Sequence, residues 1–196
     1  GFLKLLKGSD LRENSEDLGI TYSDKAPYEV LSTRELSYGE LLRLKAFENV
    51  LEIFYNSDKA VKTFGFCGRF FESPFEMYDR LGTFWKEQGF GNLTKDDTYK
   101  AALTFFAHAP ETSERVEAIR EMLFLDYLLQ SRSYKTPLWA RKAESEEIRS
   151  KRTEILKNKP ALEELFPEIK GISPKDVQKF CRIEPFQYDV LSESPK

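Results

Sequence analysis

The sequence predicts a mainly α-helical protein of about six to eight helices, with a few short strands near the two ends of the chain. Three observations carry this. Ser37-Tyr38-Gly39-Glu40, Ser73-Pro74-Phe75-Glu76 and Ser173-Pro174-Lys175-Asp176 are helix-start signals, each with a capping hydroxyl and an acidic residue three positions on. Apolar residues at helical spacing follow the first two of them. Alternation of the strand type is confined to the termini.

The first element is Gly1-Phe2-Leu3-Lys4-Leu5-Leu6-Lys7-Gly8, a short, mostly apolar run that ends at a glycine. It reads as a buried strand or the end of one. It starts without a methionine, and a buried strand at residue one has lost its neighbours in sequence. The chain is therefore expected to be a piece of a longer protein. Residues 9–36 hold Ser, Asp, Asn, Gly and Pro with little periodicity and read as a long connection, with Tyr28-Glu29-Val30 as a short extended piece after Pro27. In the helix after Ser37, Lys45, Glu48, Asn49, Glu52 and Asn56 form a polar stripe. Its other faces hold Leu41, Leu44, Phe47, Val50, Leu51 and Phe54.

The second helix starts at Ser73, carries Phe75, Tyr78, Leu81 and Trp85 on one face, and stops at Gly89 and Gly91. Thr94 with Asp97 opens a third, running to about His108 before Pro110. Ser113 opens a fourth that reaches Leu129. Residues 131–143 break the pattern. A charged helix covers 144–157, a short one follows Pro160, and Ser173 starts another. Phe186, Tyr188 and Val190 alternate with Gln187 and Asp189, which is a strand period. The domain reading is a strand and connecting segment over 1–36 and a helical domain over 37–196.

The 196 residues suffice for a real hydrophobic core, and 40% hydrophobic against 32% charged residues is a globular balance. The 16 Phe and 9 Tyr give that core an aromatic character. A net charge of -3 argues against a general nucleic-acid binder or a membrane-surface protein. No apolar stretch approaches the roughly 20 residues of a transmembrane helix, and the N-terminus is not a signal peptide. Cys67 and Cys181 are the only cysteines. Two isolated thiols fit a reducing compartment, so the expected location is the cytoplasm.

Asp126 stands among the apolar side chains of Met122, Leu123 and Leu129. A carboxylate there is desolvated and needs a partner. It is either an anchor for a ligand or domain contact, or one half of an internal ion pair or cap. Between Arg132 and Lys159, nine positive side chains face four negative ones, and Tyr134 and Trp139 offer stacking surfaces. This stretch is either an RNA- or anion-binding face or a solvated helix with pairs such as Glu147 and Lys151, the latter favoured by the acidic chain. His108 reads as a helix-end residue, and the two cysteines as small buried hydrophobes. No phosphate loop, nucleophile elbow or zinc motif is present, so no catalytic, cofactor-binding or metal residue is assigned. The candidate contact residues are Asp126, Tyr127, Arg132, Lys135 and Trp139.

Several segments, in order, resemble a known accessory domain. Gly1 to Gly8 looks like the last strand of a radical-SAM barrel. Ala26-Pro27-Tyr28-Glu29-Val30-Leu31 and Leu36-Ser37-x-x-Glu40-Leu41-x-x-Leu44-Lys45 look like the opening of the domain after it. Tyr55-Asn56-Ser57, Ser73-Pro74-Phe75-Glu76, Phe124-Leu125-Asp126-Tyr127-Leu128 and Pro137-Leu138-Trp139 are similar to its later blocks. The family is the C-terminal domain of uncharacterised function in cobalamin-binding-domain radical-SAM proteins. These are described as iron–sulfur oxidoreductases or likened to the magnesium-protoporphyrin monomethyl ester cyclase.

The resemblance implies a parent enzyme, an oxidoreductase or methyltransferase, that uses SAM, an iron–sulfur cluster and cobalamin. This chain has neither the Cys-x-x-x-Cys-x-x-Cys triplet nor the Asp-x-His-x-x-Gly cobalamin motif of that type. No cofactor is therefore expected within it. The implied role is a non-catalytic cap on the barrel. The implied partners are the upstream barrel of the same polypeptide and its substrate; nucleic acid is disfavoured and no membrane partner is expected. The alternative is a helical RNA- or anion-binding module using residues 132–159.

Overall fold

A computed structural model describes residues 2–131, 135–177 and 181–192. The protein is mainly α, as expected, with one two-stranded antiparallel sheet among the described residues. The chain divides into two compact units, 1–95 and 96–196. No helix among the described residues is long and apolar enough to cross a membrane.

The first unit opens with α1 (Asp10–Glu13), β1 (Thr21–Tyr22) and β2 (Val30–Ser32). The strands pair antiparallel, Thr21 opposite Ser32 and Tyr22 opposite Val30. The segment expected as a buried N-terminal strand is reduced to one isolated bridge, Lys4 to Glu29. The Leu5 N–H donates to the Tyr28 carbonyl at 2.9 Å, and the Val30 N–H to the Leu3 carbonyl at 3.2 Å. Leu5 is fully buried against Val30 and Leu41, whereas Leu3 and Leu6 are 52% and 59% exposed. A strand buried on both faces needs neighbours on both sides, and among the described residues only 28–30 pair with this one. The connection over 9–36 also holds more structure than its weak periodicity suggests, in α1 and β1.

The capping box at Ser37 forms as the spacing predicts. Its hydroxyl accepts from the Glu40 N–H, and the Glu40 carboxylate accepts from the Ser37 N–H. It starts α2 (Tyr38–Val50), which runs straight into a π-helical turn, Leu51–Tyr55. Next comes α3 (Val61–Cys67), followed by α4 (Pro74–Glu87). Ser73 caps α4, but Glu76 does not close the box. Its carboxylate accepts instead from the N–H of Glu72, one residue before the cap, at 2.8 Å. Gly89, at φ +65°, ends α4: its N–H bonds to Lys86 and the Phe90 N–H bonds to Trp85, the two bonds of a Schellman stop.

The two long helices α2 and α4 meet at backbone distance. A Cβ on Gly82 would stand 2.9 Å from the Ala46 carbonyl and the Phe47 nitrogen. Three residues along α4, the buried Asp79 receives a bidentate pair of hydrogen bonds from Arg43 of α2, the Nε bond at 2.6 Å. These contacts hold an aromatic stack. Phe54 lies on Phe64 at 4.7 Å and 24°, and Phe64 on Tyr78 at 5.4 Å and 20°. Trp85 sets its edge against Phe54.

In the second unit lie α5 (Lys95–His108), α6 (Val116–Leu129), α7 (Glu146–Lys157), α8 (Lys159–Leu165) and α9 (Pro174–Val177). Short 3-10 turns at Ser113–Arg115, Leu138–Ala140 and Pro167–Ile169 connect them. Ser145 and Asn158 cap α7 and α8. Tyr99 and Phe106 of α5 and Ile119 and Leu123 of α6 are fully buried, and Leu162, Ile169, Val177 and Cys181 form a small cluster. The strand read from the alternation at 186–190 does not form, because the backbone there is held by a side chain, as described below.

Two tests follow from the first unit. Gly82→Ala forces a carbon into backbone and should cost about 1–3 kcal/mol in urea unfolding. Burial, with the nearby Tyr55 phenol adding to it, pushes Tyr78 up to about 12 from 10.0. A folded-state value above the unfolded one stabilises fully below pH 10, and that contribution is lost as pH rises through 12. Between those limits the urea midpoint of Tyr78→Phe should fall less than that of the unchanged chain.

Candidate functional site

The second unit contains a cleft of about 780 Å³. α6 supplies Arg120, Glu121 and Phe124, the segment after Pro137 supplies Arg141, Lys142 and Glu144, and residues 181–187 close the far side. Phe124, Phe186, Cys181, Ile148 and Leu156 make an apolar floor, with the two phenyl rings 6.0 Å apart. Around it stand Arg120, Arg141, Lys142, Arg152 and Arg182 against Glu121, Glu144 and Glu184, an excess of two positive charges.

Glu121 organises this cleft. Its carboxylate is 5% exposed and accepts from Lys142 Nζ at 2.7 Å, from the Gln187 N–H at 2.8 Å and from the Tyr188 N–H at 2.9 Å. The Lys142 ammonium also reaches Gln187 Oε1 at 3.1 Å. One buried charge therefore ties together α6, the segment before α7 and the C-terminal segment. It also explains the missing strand: N–H groups of successive strand residues point to opposite edges, whereas here two converge on one carboxylate.

The other cations of the cleft are held in place too. Arg182 donates to Glu184 at 2.7 Å and to Thr136 Oγ1 at 2.9 Å, with its guanidinium 5.8 Å from the Phe124 ring centre. Arg152 meets Glu144 at 2.6 Å, and Arg120 meets Glu117 at 2.8 Å. Arg141 donates to the Thr136 carbonyl at 3.2 Å. Such a surface can hold and orient an anionic group over an apolar floor. Its described lining contains no nucleophile paired with a base.

Asp126, Tyr127 and Trp139 lie outside the lining of this cleft. Asp126 is 4% exposed in α6. Tyr127 is buried beside it and donates its hydroxyl to Asp96 at 2.7 Å; burial first, and that hydrogen bond second, raise its pKa. Trp139 stacks on Tyr99 at 6.0 Å and 6° and sets its edge against Tyr127 at 5.8 Å. The fold thus brings Tyr127 and Trp139 together in an aromatic cluster. Lys135 is exposed, and Arg132 lies outside the described residues.

The 132–159 stretch carries the pairs expected of a solvated face, Glu147 with Lys151 at 2.7 Å and Arg149 with Glu144 at 3.5 Å. That contact holds the Glu147 carboxyl below, and the Lys151 ammonium above, their ordinary ranges. His108 is exposed at the end of α5, with Nδ1 2.7 Å from the Thr104 carbonyl. Cys67 and Cys181 are unbridged and buried, one in each unit. Among the described residues no three His, Cys, Asp or Glu side chains converge as a metal site requires.

The sequence reading passed over Glu121. Its neighbours at i−3 and i+3, Ala118 and Phe124, are apolar, the same signal that drew attention to Asp126. Asp79 and Arg182 carried no comparable signal.

A family model described as a protein of unknown function (DUF4080) matches residues 16–196. The chain belongs to this family. No curated protein and no solved structure matches it. The matched region contains the whole cleft and the α2–α4 contact, while residues 1–15 precede it.

Removing the organising carboxylate tests the account of the cleft. Glu121→Ala leaves two part-buried backbone donors without their acceptor, while the partly exposed Lys142 can turn to solvent, and should cost about 1–3 kcal/mol in urea unfolding. Amide exchange at Gln187 and Tyr188 should accelerate in the same variant, and Glu121→Gln, whose amide oxygen still accepts, should lose less.

Proposed function

We propose that this chain is a non-catalytic accessory domain of a cobalamin-dependent radical-SAM enzyme. It caps the barrel and contributes contacts to the substrate or to the neighbouring domain. The reading rests on the ordered resemblance described above, and one structural observation carries it. Residues 3–5 bond along one edge to 28–30, through Leu3 and Leu5 with a bridge at Lys4, and Leu3 and Leu6 are open to solvent. They also precede the region matched by the family model. A segment with one satisfied edge and uncovered leucines suits a terminal barrel strand whose other neighbours belong to the preceding domain.

The residues present do not fit the cofactors of the implied parent. Two buried cysteines in separate units cannot supply the three thiolates of a SAM-binding cluster. SAM, the iron–sulfur cluster and cobalamin are therefore assigned to the other domains of that parent. The domain's physical work is exclusion of water from the barrel mouth, which protects reactive intermediates. The two unbridged thiols suit a reducing cytoplasm. The alternative, an RNA- or anion-binding module built on 132–159, draws support from the positive excess of the cleft. It is weakened by the pairing of Lys142, Arg149, Lys151 and Arg152 with glutamates.

The test is the complete coding sequence followed by anaerobic purification of its product. An upstream Cys-x-x-x-Cys-x-x-Cys triplet, with iron and cobalamin bound by the whole polypeptide, is the expected result. A complete polypeptide without that triplet would overturn the proposal, as would SAM cleavage by residues 1–196 alone.

A further inference from the structure

The first unit contains a pocket of about 640 Å³, within the range of roughly 300–1,000 Å³ typical of small-molecule sites. Its floor is the buried group Phe54, Phe64, Met77 and Tyr78, which includes the aromatic stack. The Tyr78 phenol is protonated at neutral pH, as its ordinary value of 10.0 already requires, so the floor carries no charge. The rim holds one Asp and one Arg, Asp58 and Arg69, and hence no net charge either.

One feature of the walls is not explained by packing. Gly65 sits inside α3, where glycine weakens the helix relative to alanine. A Cβ built on Gly65 meets nothing within 4 Å. Gly82 is required by its neighbours, but Gly65 is not. Its bare backbone keeps open a wall of the pocket, as glycine does where a ligand approaches the main chain closely.

We propose that this pocket binds a flat, uncharged aromatic or conjugated small molecule, seated on the Phe54–Phe64–Tyr78 floor and lying against the backbone at Gly65. Aromatic walls favour a π-surface over a flexible aliphatic chain, and the lack of net charge disfavours an ion. The inference is independent of the accessory-domain reading, since the pocket lies wholly within the first unit and its test needs no other polypeptide.

The neutral fluorophore N-phenyl-naphthylamine serves as the probe, titrated into the 196-residue chain. Saturable fluorescence enhancement is expected. Gly65→Leu fills the open wall and should weaken probe binding about tenfold or more, while the thermal midpoint stays level or rises because glycine leaves a helix. Gly65→Ala should weaken binding in the same direction by a smaller factor and raise the midpoint; it carries the test should the leucine variant fold poorly. Absence of saturable binding to the unchanged chain would overturn the proposal, and so would unaltered affinity in both folded variants.

Discussion

The first unit depends on backbone contact between two helices. At Gly82 the distance between α2 and α4 is set by main-chain atoms and not by side chains. Two consequences follow from so close a crossing. Arg43 comes within reach of the buried Asp79, so its guanidinium satisfies both carboxylate oxygens. The aromatic side chains at the ends of the two helices and on α3 are drawn into contact, which stacks Phe54, Phe64 and Tyr78. The π-helical turn belongs to the same arrangement. Its wider winding places Phe54 in the core while Tyr55 stays exposed. The pocket is what this crossing and this turn leave between them.

The second unit solves a different problem. Its residues 181–192 leave the helices and run as irregular backbone, whose polar groups need partners wherever they are covered. A single carboxylate on α6 supplies two of them and neutralises Lys142 at the same time. The three glutamates of the lining are matched by Lys142, Arg152 and Arg182, so the positive excess of the cleft rests on Arg120 and Arg141.

What the sequence made legible was local. Ser37 and Glu40 are three residues apart, and the capping box between them forms as read. The stop at Gly89 is local as well, since it needs only the last turn of α4 and a positive φ. The reading failed where a local pattern met a distant partner. Alternation at Phe186, Tyr188 and Val190 has a strand period, but Glu121, 66 residues from Gln187, takes the backbone donors first. Glu76 has the spacing to close a box, yet its carboxylate turns to Glu72. Tyr127 and Trp139 were singled out for separate reasons, and only the folded chain brings their rings together.

The manner in which Glu121 holds residues 187 and 188 has a consequence for how this region can change. The carboxylate binds main-chain N–H groups, which every residue except proline possesses. The hold on Glu121 therefore sets no side-chain identity at Tyr188, while at Gln187 the side chain serves Lys142 alone. Spacing is not free, because inserting or deleting a residue between Arg182 and Gln187 would carry the donors past the charge. Relatives that keep the buried acid are expected to vary in letters there while conserving the count.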